Sequence, residues 1–438
     1  MNKKAVRWLY AELPALIDEG IVTPESADRL RMRYGNAEDE SRAPLALVVC
    51  SVLGAVLIGL GIILMLAHNW EFMSRPLRTV LSFLPLVIGQ ALVAFALLRK
   101  PNSVAWAEGA GTFLALAIGS SIALIGQTYH LPGDPGAFML TWLLLGLPIV
   151  YVLNASMPAV LYMAGTTAWT AYMQNVHSAT IWFYPMAALI VPHLVHAYRR
   201  DVLGIRSTWL SWAVVISLCI VTGLALDKSL PGLWIVVYTS LFAVMYLAGA
   251  WASENTGRFW RNPYRTVGSS GIVVLAFMFS YEWPWDGIGW RYYRTRYDYE
   301  NWYAIPDYLL LTALFIAAML LLARAVRHGN LGVVPLGGAP VLALVAYLIG
   351  AGNPDNLLSP LVFNLYVLAA GVGVTANGLR TGHLGIVNGG LAILSGWIIA
   401  RFFDVDMGFV ARGIAFILLG VAFLSTNLVM MRRRRKPA

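Results

Sequence analysis

The chain has 438 residues, of which 59% are hydrophobic and only 12% are charged. A soluble domain carries about 25% charged residues, so the surface charge that a water-soluble fold needs is missing. The composition excludes a soluble globular protein and predicts that lipid surrounds much of the surface. The formal charge of +9 does not indicate a nucleic-acid partner, because the basic residues fall between apolar segments and at the C-terminus.

Residues 1–43 are more polar than the rest of the chain. Apolar residues recur there at helical spacing, at Val6, Leu9, Leu13, Leu16 and Ile17. Gly20 favours an end to this helix, and Thr23 followed by Pro24 is typical of the start of a second one. We predict a cytoplasmic amphipathic helical hairpin, which is either a solvated cap or a contact for a cytoplasmic protein.

From Leu45 onward, apolar segments of about 18 to 24 residues alternate with short polar breaks, as expected of transmembrane helices. The predicted spans are 45–67, 79–98, 104–126, 137–153, 157–174, 180–198, 208–226, 231–251, 264–281, 307–325, 332–350, 357–378, 382–401 and 409–430. Prolines interrupt the fourth to sixth spans, so a re-entrant segment is an alternative for one of them. The fold class is all-α: a polytopic transmembrane helix bundle of about fourteen spans over residues 44–431, with a basic cytoplasmic tail at 432–438.

Lysine and arginine predict the orientation of the bundle. With the N-terminus inside, 23 of the 31 basic residues fall in segments on the inner side. This asymmetry places both termini in the cytoplasm. The first apolar span must itself target the chain, because no cleavable signal peptide precedes it.

The sequence carries no motif of a known catalytic or nucleotide-binding type: no phosphate-binding loop, dinucleotide fingerprint, CxxC pair, HExxH or GxSxG. The two cysteines, Cys50 and Cys219, lie in separate apolar segments and do not indicate a disulfide or a zinc site. No cofactor and no metal site is predicted.

Several predicted helices end on the outer side with polar residues that suit a binding or acid–base site. The candidate catalytic residues are His68, Glu71, His130 and Arg401, and the candidate substrate-binding residues are Asn69, Trp70, Gln127, Tyr129, Asp134 and Asp404. The alternative is that these are ordinary polar helix ends at the level of the lipid headgroups.

Three further features are open to two interpretations. Glu108, early in the third span, is either an interfacial carboxylate or part of a proton relay. His193 and His196, near the inner end of the sixth span, are expected to face lipid headgroups. The aromatic segment 282–305 is either a loop lying in the membrane interface or a lid over a glycan or lipid headgroup.

Three sequence stretches carry a resemblance to a known family. They are Glu19-Gly20-Ile21-Val22-Thr23-Pro24-Glu25, Ala67-His68-Asn69-Trp70-Glu71, and Gly126-Gln127-Thr128-Tyr129-His130 with Gly133-Asp134-Pro135. In these the chain resembles the bacterial predicted membrane proteins of domain of unknown function 2157. Arg401-Phe402-Phe403-Asp404 is similar to a related membrane family, also of unknown function. The resemblance implies a bacterial cytoplasmic (inner) membrane and no particular activity.

Three functions are compatible with these patterns. The favoured one is transport or flipping of a neutral or lipid-linked substrate, because a bundle this large with proline-broken helices has room for an internal path. The second is a membrane-embedded transferase or hydrolase with an extracytoplasmic site. The third is a non-catalytic membrane scaffold or sensor that binds a cytoplasmic protein through residues 1–43.

Overall fold

The computed structural model describes residues 3–34, 70–177, 180–202, 204–226, 231–252, 261–289, 305–352 and 357–404, with four further positions beyond them. The first predicted span, 45–67, lies outside the described residues, as does nearly all of the last one, 409–430. The chain divides into two units, Met1–Arg78 and Thr79–Ala438.

All regular secondary structure in the described ranges is helical. The α-helices are α1 Lys3–Asp18, α2 Pro24–Tyr34, α3 Arg75–Arg99, α4 Val104–Tyr129, α5 Pro135–Val152, α6 Ser156–His177, α7 Phe183–Ala188, α8 Val191–Arg200, α9 Ile205–Ala225, α10 Trp234–Ala252, α11 Pro263–Phe279, α12 Ile305–Arg327, α13 Val334–Gly337, α14 Ala339–Gly352, α15 Leu358–Thr381 and α16 Leu384–Asp404. Short 3-10 turns lie at Trp70–Phe72, Thr180–Trp182, Trp283–Trp285 and Leu331–Val333.

The first unit contains α1 and α2 where the sequence predicts two helices. Gly20 has a φ of 72° and ends the turn after α1, a conformation that glycine adopts without steric cost. The Thr23 hydroxyl accepts a hydrogen bond from the Ser26 amide and so caps α2. Leu13 and Ala27 are buried. The arrangement of the two helices as a cytoplasmic hairpin stays a prediction.

Nine helices within the described part of the chain are long and apolar enough to cross a membrane. A tenth candidate is the bent pair Thr180–Ala188 and Val191–Arg200, whose halves meet at 47°. The helices Ser156–His177 and Pro263–Phe279 fall outside this count. Twelve of the fourteen predicted spans therefore coincide with helices, whereas the number fourteen itself stays a prediction.

Helices α3 to α9, called here the first bundle, share two buried apolar clusters. One joins α5, α6, α7, α8 and α9 and includes Leu143, Tyr162 and Phe183. The other joins α3, α4 and the α5–α6 connection. Two indole groups donate hydrogen bonds to backbone carbonyls of neighbouring helices: Trp142 Nε1 to Ala115 at 2.6 Å, and Trp169 Nε1 to Gly136 at 3.0 Å. Such bonds satisfy polar groups in a region that offers no water.

Helices α10 to α16, the second bundle, surround a larger apolar core built around Phe279 and Phe363, whose ring centroids are 5.1 Å apart. Glycine allows the backbones to approach closely. A Cβ atom at Gly268 in α11 would lie 2.4 Å from the Tyr246 amide nitrogen of α10, and one at Gly390 in α16 would lie 2.5 Å from the Thr375 amide nitrogen of α15. Packing of small residues is the usual way in which membrane helices associate closely.

Candidate functional site

A carboxylate from α4 joins three helices of the first bundle at one end. Glu108 Oε1 accepts a hydrogen bond from the Ser156 amide at 3.0 Å, and Oε2 accepts one from the Met157 amide at 2.7 Å. Both amides belong to the first turn of α6, where a negative charge is stabilised by the unpaired N–H groups and the helix dipole. Arg206, at the start of α9, forms an ion pair with Glu108 Oε1 at 3.0 Å.

The side chains of this ion pair are largely shielded from solvent, with exposed fractions of 17% for Glu108 and 29% for Arg206. Each oxygen of the carboxylate already has an N–H partner, and the guanidinium balances the charge. The geometry therefore makes Glu108 a clamp between α4, α6 and α9. This arrangement gives both carboxylate oxygens a structural role, and the choice between an interfacial carboxylate and a proton relay stays a prediction.

Two histidines of α8 extend this group of polar residues. Ser156 Oγ and His193 Nε2 are 3.2 Å apart, and His193 is only 4% exposed. Asn154 Nδ2 lies 3.4 Å from His196 Nε2, and Asn154 has a φ of 47°, a left-handed conformation that asparagine tolerates better than most residues. The expectation that His193 faces lipid headgroups is wrong, because its ring is buried against Ser156 of α6 and Tyr151 of α5.

Helices α6 and α9 contact each other through polar side chains, and the contacting residues have the same offset in residue number. Thr167 Oγ1 donates to Ser217 Oγ at 2.8 Å, and Gln174 Nε2 donates to the Leu224 carbonyl at 3.2 Å. Both pairs are separated by fifty residues, which is possible only if the two helices run in the same direction. We call this contact the α6–α9 seam. The Glu108 clamp lies at its start and Gln174 near its end.

Because α6 and α9 run in the same direction, the chain between them must run back along their full length. Helices α7 and α8 form this segment. The amide of Thr180, just before α7, donates to Gln174 Oε1 at the end of α6, and Tyr162 OH donates to the Met186 carbonyl halfway along. His193 then meets Ser156 at the start of α6. These contacts favour one broken span over the re-entrant alternative.

Tyrosine hydroxyls bind backbone carbonyls at this break. Tyr151 OH donates to the Leu189 carbonyl, and Tyr162 OH donates to that of Met186. A helix break leaves carbonyls without their usual partners four residues on, and inside a membrane those groups must be satisfied by neighbouring side chains. The break is therefore held from both α5 and α6.

The candidate residues predicted for an outer site are only partly described. His68 and Asn69 lie outside the described residues, as do the side chains of Glu71 and Asp404. Trp70 is buried in the turn Trp70–Phe72. The shared pocket of His68, Glu71, His130 and Arg401 therefore stays a prediction.

Three candidate site residues lie at or near the connection between α4 and α5, and each has a contact within the protein. Tyr129 OH lies 2.9 Å from Thr79 Oγ1 of α3. His130 adopts the left-handed conformation at the C-cap of α4, and its ring nitrogen Nδ1 lies 2.9 Å from the Gln127 carbonyl. Asp134 caps α5 by accepting a hydrogen bond from the Ala137 amide at 2.8 Å. The substrate-binding role of Tyr129 and Asp134 and the catalytic role of His130 stay predictions.

Arg401 contributes to a polar group in the second bundle. Its guanidinium donates to the carbonyl and the hydroxyl of Ser280, and it lies 4.4 Å from the centroid of the Tyr281 ring. Asn364 Nδ2 donates to the same Ser280 carbonyl at 3.0 Å, and Asn364 Oδ1 accepts from Trp397 Nε1 at 3.0 Å. The end of α11 is thereby joined to α15 and α16.

The chain resembles one known family over its first third. A family model with the description Predicted membrane protein (DUF2157) matches residues 14–159. The match confirms the resemblance to this family inferred from the sequence and ends within α6, so the similarity of residues 401–404 to a related family stays a prediction. No curated protein and no solved structure matches the chain. The chain is a predicted membrane protein with several apolar helices, and the family description carries no activity.

The positions of these residues in the sequence do not predict that they form the Glu108 clamp. Glu108, Ser156, His193 and Arg206 belong to four separate sequence segments, and only the folded chain brings them together. A signal did exist, because Ser156 and Arg206 lie in polar breaks, and Glu108 and His193 lie near span ends, that the count of basic residues assigns to the same side. No group of three or more metal-binding side chains occurs among the residues that the structure describes.

Proposed function

We propose that this protein moves a neutral or lipid-linked substrate across the bacterial cytoplasmic membrane, by transport or flipping, and that the α6–α9 seam opens during this movement. The single observation that carries the proposal is the broken span α7–α8 beside a seam of polar side chains. Broken helices are typical of transporters, which place substrate sites where helices are interrupted.

The contrast between the two bundles supports a division into a moving and a static part. Hydroxyl and amide side chains of Thr167, Ser217 and Gln174 line the seam and could exchange their partners for water or substrate. The second bundle instead has an apolar core, and close backbone contacts at Gly268 and Gly390 hold its helices together. Polar groups keep hydrogen-bond partners in water, so these contacts of the seam can be exchanged at a lower cost than the buried apolar contacts that α6 and α9 also share.

The chemistry of the seam favours a neutral or lipid-linked substrate. Its described side-chain contacts beyond the clamp are made by hydroxyl groups and an amide, and the ion pair of Glu108 and Arg206 closes one end. Such groups can bind hydroxyl or phosphodiester groups by hydrogen bonds without a fixed charge.

The orientation proposed for this function places the Glu108 clamp on the cytoplasmic side. About fourteen spans, with both termini in the cytoplasm and residues 1–43 as a cytoplasmic hairpin, follow from the distribution of basic residues. The clamp would then close the seam toward the cytoplasm.

Lipid flipping is tested with purified full-length protein in liposomes that contain phosphatidylglycerol with a nitrobenzoxadiazole label on one acyl chain. Dithionite, which does not cross the bilayer, bleaches the label only in the outer leaflet. We expect the bleached fraction to exceed that of protein-free vesicles, because flipped lipid reaches the outer leaflet. A fraction equal to that of protein-free vesicles would contradict flipping of this phospholipid.

The role of the seam is tested with the variant Thr167→Cys/Ser217→Cys in a background in which Cys50 and Cys219 are replaced by serine. The two hydroxyl oxygens lie 2.8 Å apart, so the two thiols can form a disulfide. Oxidation should abolish flipping, and reduction should restore it. The control is the single variant Thr167→Cys, whose activity should not respond to oxidation.

A non-catalytic scaffold is the second candidate. The dense packing of the second bundle favours it, because the cavity between α11, α13, α15 and α16 has a volume of only about 10 Å³ and is lined by apolar residues and Tyr366. Protein that incorporates into liposomes and stays folded but moves no lipid would favour this candidate over flipping.

A further inference from the structure

We propose that the second bundle binds an anionic phospholipid, with the phosphate at Arg324 and Arg327 and the acyl chains along α12. The site lies where α10 and α12 end beside each other. Arg324 is in the last turn of α12, and its guanidinium carbon lies 4.7 Å from the centroid of the Trp251 ring near the end of α10. Neither the family match nor the proposed function assigns a role to these residues.

Trp251 lies at the point where a buried helix reaches the surface. Helix α10 is the most buried of the candidate membrane spans, and yet Trp251 is 68% exposed. Tryptophan is enriched at the level of lipid headgroups, where its ring contacts acyl chains and its N–H meets water. Stacking on the indole holds the Arg324 guanidinium at that level.

Helix α12 presents a continuous apolar stripe that leads to Arg324. It is the least buried of the candidate spans. Leu309, Ile316 and Leu320 are exposed and follow the three- and four-residue spacing of one helix face. Arg324 continues that face four residues after Leu320, and Arg327 follows one turn later. A lipid whose chains lie along this stripe would bring its phosphate to the two guanidinium groups.

The charges at this end of the second bundle are complementary to a phosphate. Asn262, at the start of α11, donates from Nδ2 to the Gly249 carbonyl of α10, which places Arg261 and Arg265 at the same end. The acidic side chains Glu282 and Asp286, which the structure describes in this bundle, follow α11 at its other end. Clusters of basic residues at helix ends attract anionic lipids, and arginine binds phosphate through several parallel hydrogen bonds.

The experiment is native mass spectrometry of the delipidated full-length protein in detergent, titrated with phosphatidylglycerol or with phosphatidylcholine of the same acyl chains. We expect phosphatidylglycerol to bind more tightly. Arg324→Ala should weaken its binding about fivefold, the factor expected when one basic residue near an anionic headgroup is removed. Arg324→Lys should retain more binding than Arg324→Ala, and Trp251→Ala should also weaken it.

The matched control is Arg200→Ala, which removes an exposed arginine at the end of α8 in the first bundle. Its binding of phosphatidylglycerol should equal that of the unmodified protein. The proposal is overturned if Arg324→Ala binds as tightly as the unmodified protein, or if Arg200→Ala loses as much. The proposal is also overturned if inorganic phosphate, at the same concentration as the lipid, displaces phosphatidylglycerol completely, because the site would then bind free anions. This test is independent of flipping, because binding is measured without transport.

Discussion

The hydroxyl groups of Thr167 on α6 and Ser217 on α9 lie 2.8 Å apart, at the same register that Gln174 and Leu224 repeat seven residues later. Parallel neighbours in a membrane require a full crossing between them. The chain from 178 to 204 has the length for this, because a helix of about twenty residues spans about 30 Å. The polar contacts therefore show that α6 and α9 pack side by side, and they also indicate that the chain crosses the membrane once between them.

The register predicts which cysteine pairs can form disulfides. In a background without Cys50 and Cys219, Thr167→Cys/Ser217→Cys should cross-link on mild oxidation. Thr167→Cys/Ser207→Cys should not, because Ser207 lies ten residues, about 15 Å along α9, before Ser217. Mass spectrometry of the digested protein detects the linked peptides. Cross-linking of only the second pair would contradict the parallel arrangement.

The Glu108 clamp should contribute to stability. Replacement of Glu108 by alanine removes the acceptors for the amides of Ser156 and Met157 and leaves Arg206 without its counter-ion. We expect a loss of about 2 kcal/mol, the usual cost of leaving buried polar groups unsatisfied. Thermal unfolding of the purified protein in detergent measures this loss of stability.

The matched control for the clamp is Arg200→Ala, at an exposed position on α8, which should leave the unfolding temperature almost unchanged.

In the double variant Glu108→Gln/Arg206→Gln, both charges are removed together. Its loss of unfolding free energy should be smaller than the sum of the losses in the two single variants, because no uncompensated charge remains. Additive losses would mean that the two residues act separately.

Two adjacent glycines of α16 allow a direct test of the close helix contact. A Cβ atom at Gly390 would lie 2.3 Å from Thr375 Oγ1, whereas at Gly389 nothing lies within 4 Å. Gly390→Ala should therefore lower the free energy of unfolding by about 1 to 3 kcal/mol through overpacking. Gly389→Ala should be neutral or slightly stabilising, because alanine favours the helix. Equal effects of both substitutions would contradict the close approach of α15 and α16.

The helices were predictable because their signal is continuous in the sequence. The apolar segments 79–98, 104–126 and 357–378 coincide with α3, α4 and α15, whose ends fall at changes in polarity. The bend between α7 and α8 was not predicted, although Pro185 and Pro192 marked that span as interrupted. Proline indicates where a helix can break, but the tyrosine hydroxyls that bind carbonyls at the break come from neighbouring helices, which local sequence does not show.

The polar contacts could not be predicted because they depend on helix neighbours rather than on spacing. Glu108 and Ser156 are forty-eight residues apart, and nothing local to either predicts the other. His193 resembles an interfacial residue in sequence, since Arg199 and Arg200 follow within two turns. Its ring is buried against Tyr151 and Ser156, which only the folded chain brings next to it. Arg401 likewise acquires its contact with Ser280 only through the packing of α16 on α11.

The orientation of the helices in the membrane predicts opposite accessibility for the two ends of the first bundle. Gly133 and Arg200 are exposed, and Gly133 lies beyond the end of α4, which is about 31 Å along the helix from Glu108. In the background without Cys50 and Cys219, we expect an impermeant thiol reagent to label Gly133→Cys in intact cells. Arg200→Cys and Arg327→Cys should be labelled only after permeabilisation, since most basic residues face the cytoplasm. The cysteine-free protein controls for background, and labelling of Arg200→Cys in intact cells would contradict the orientation.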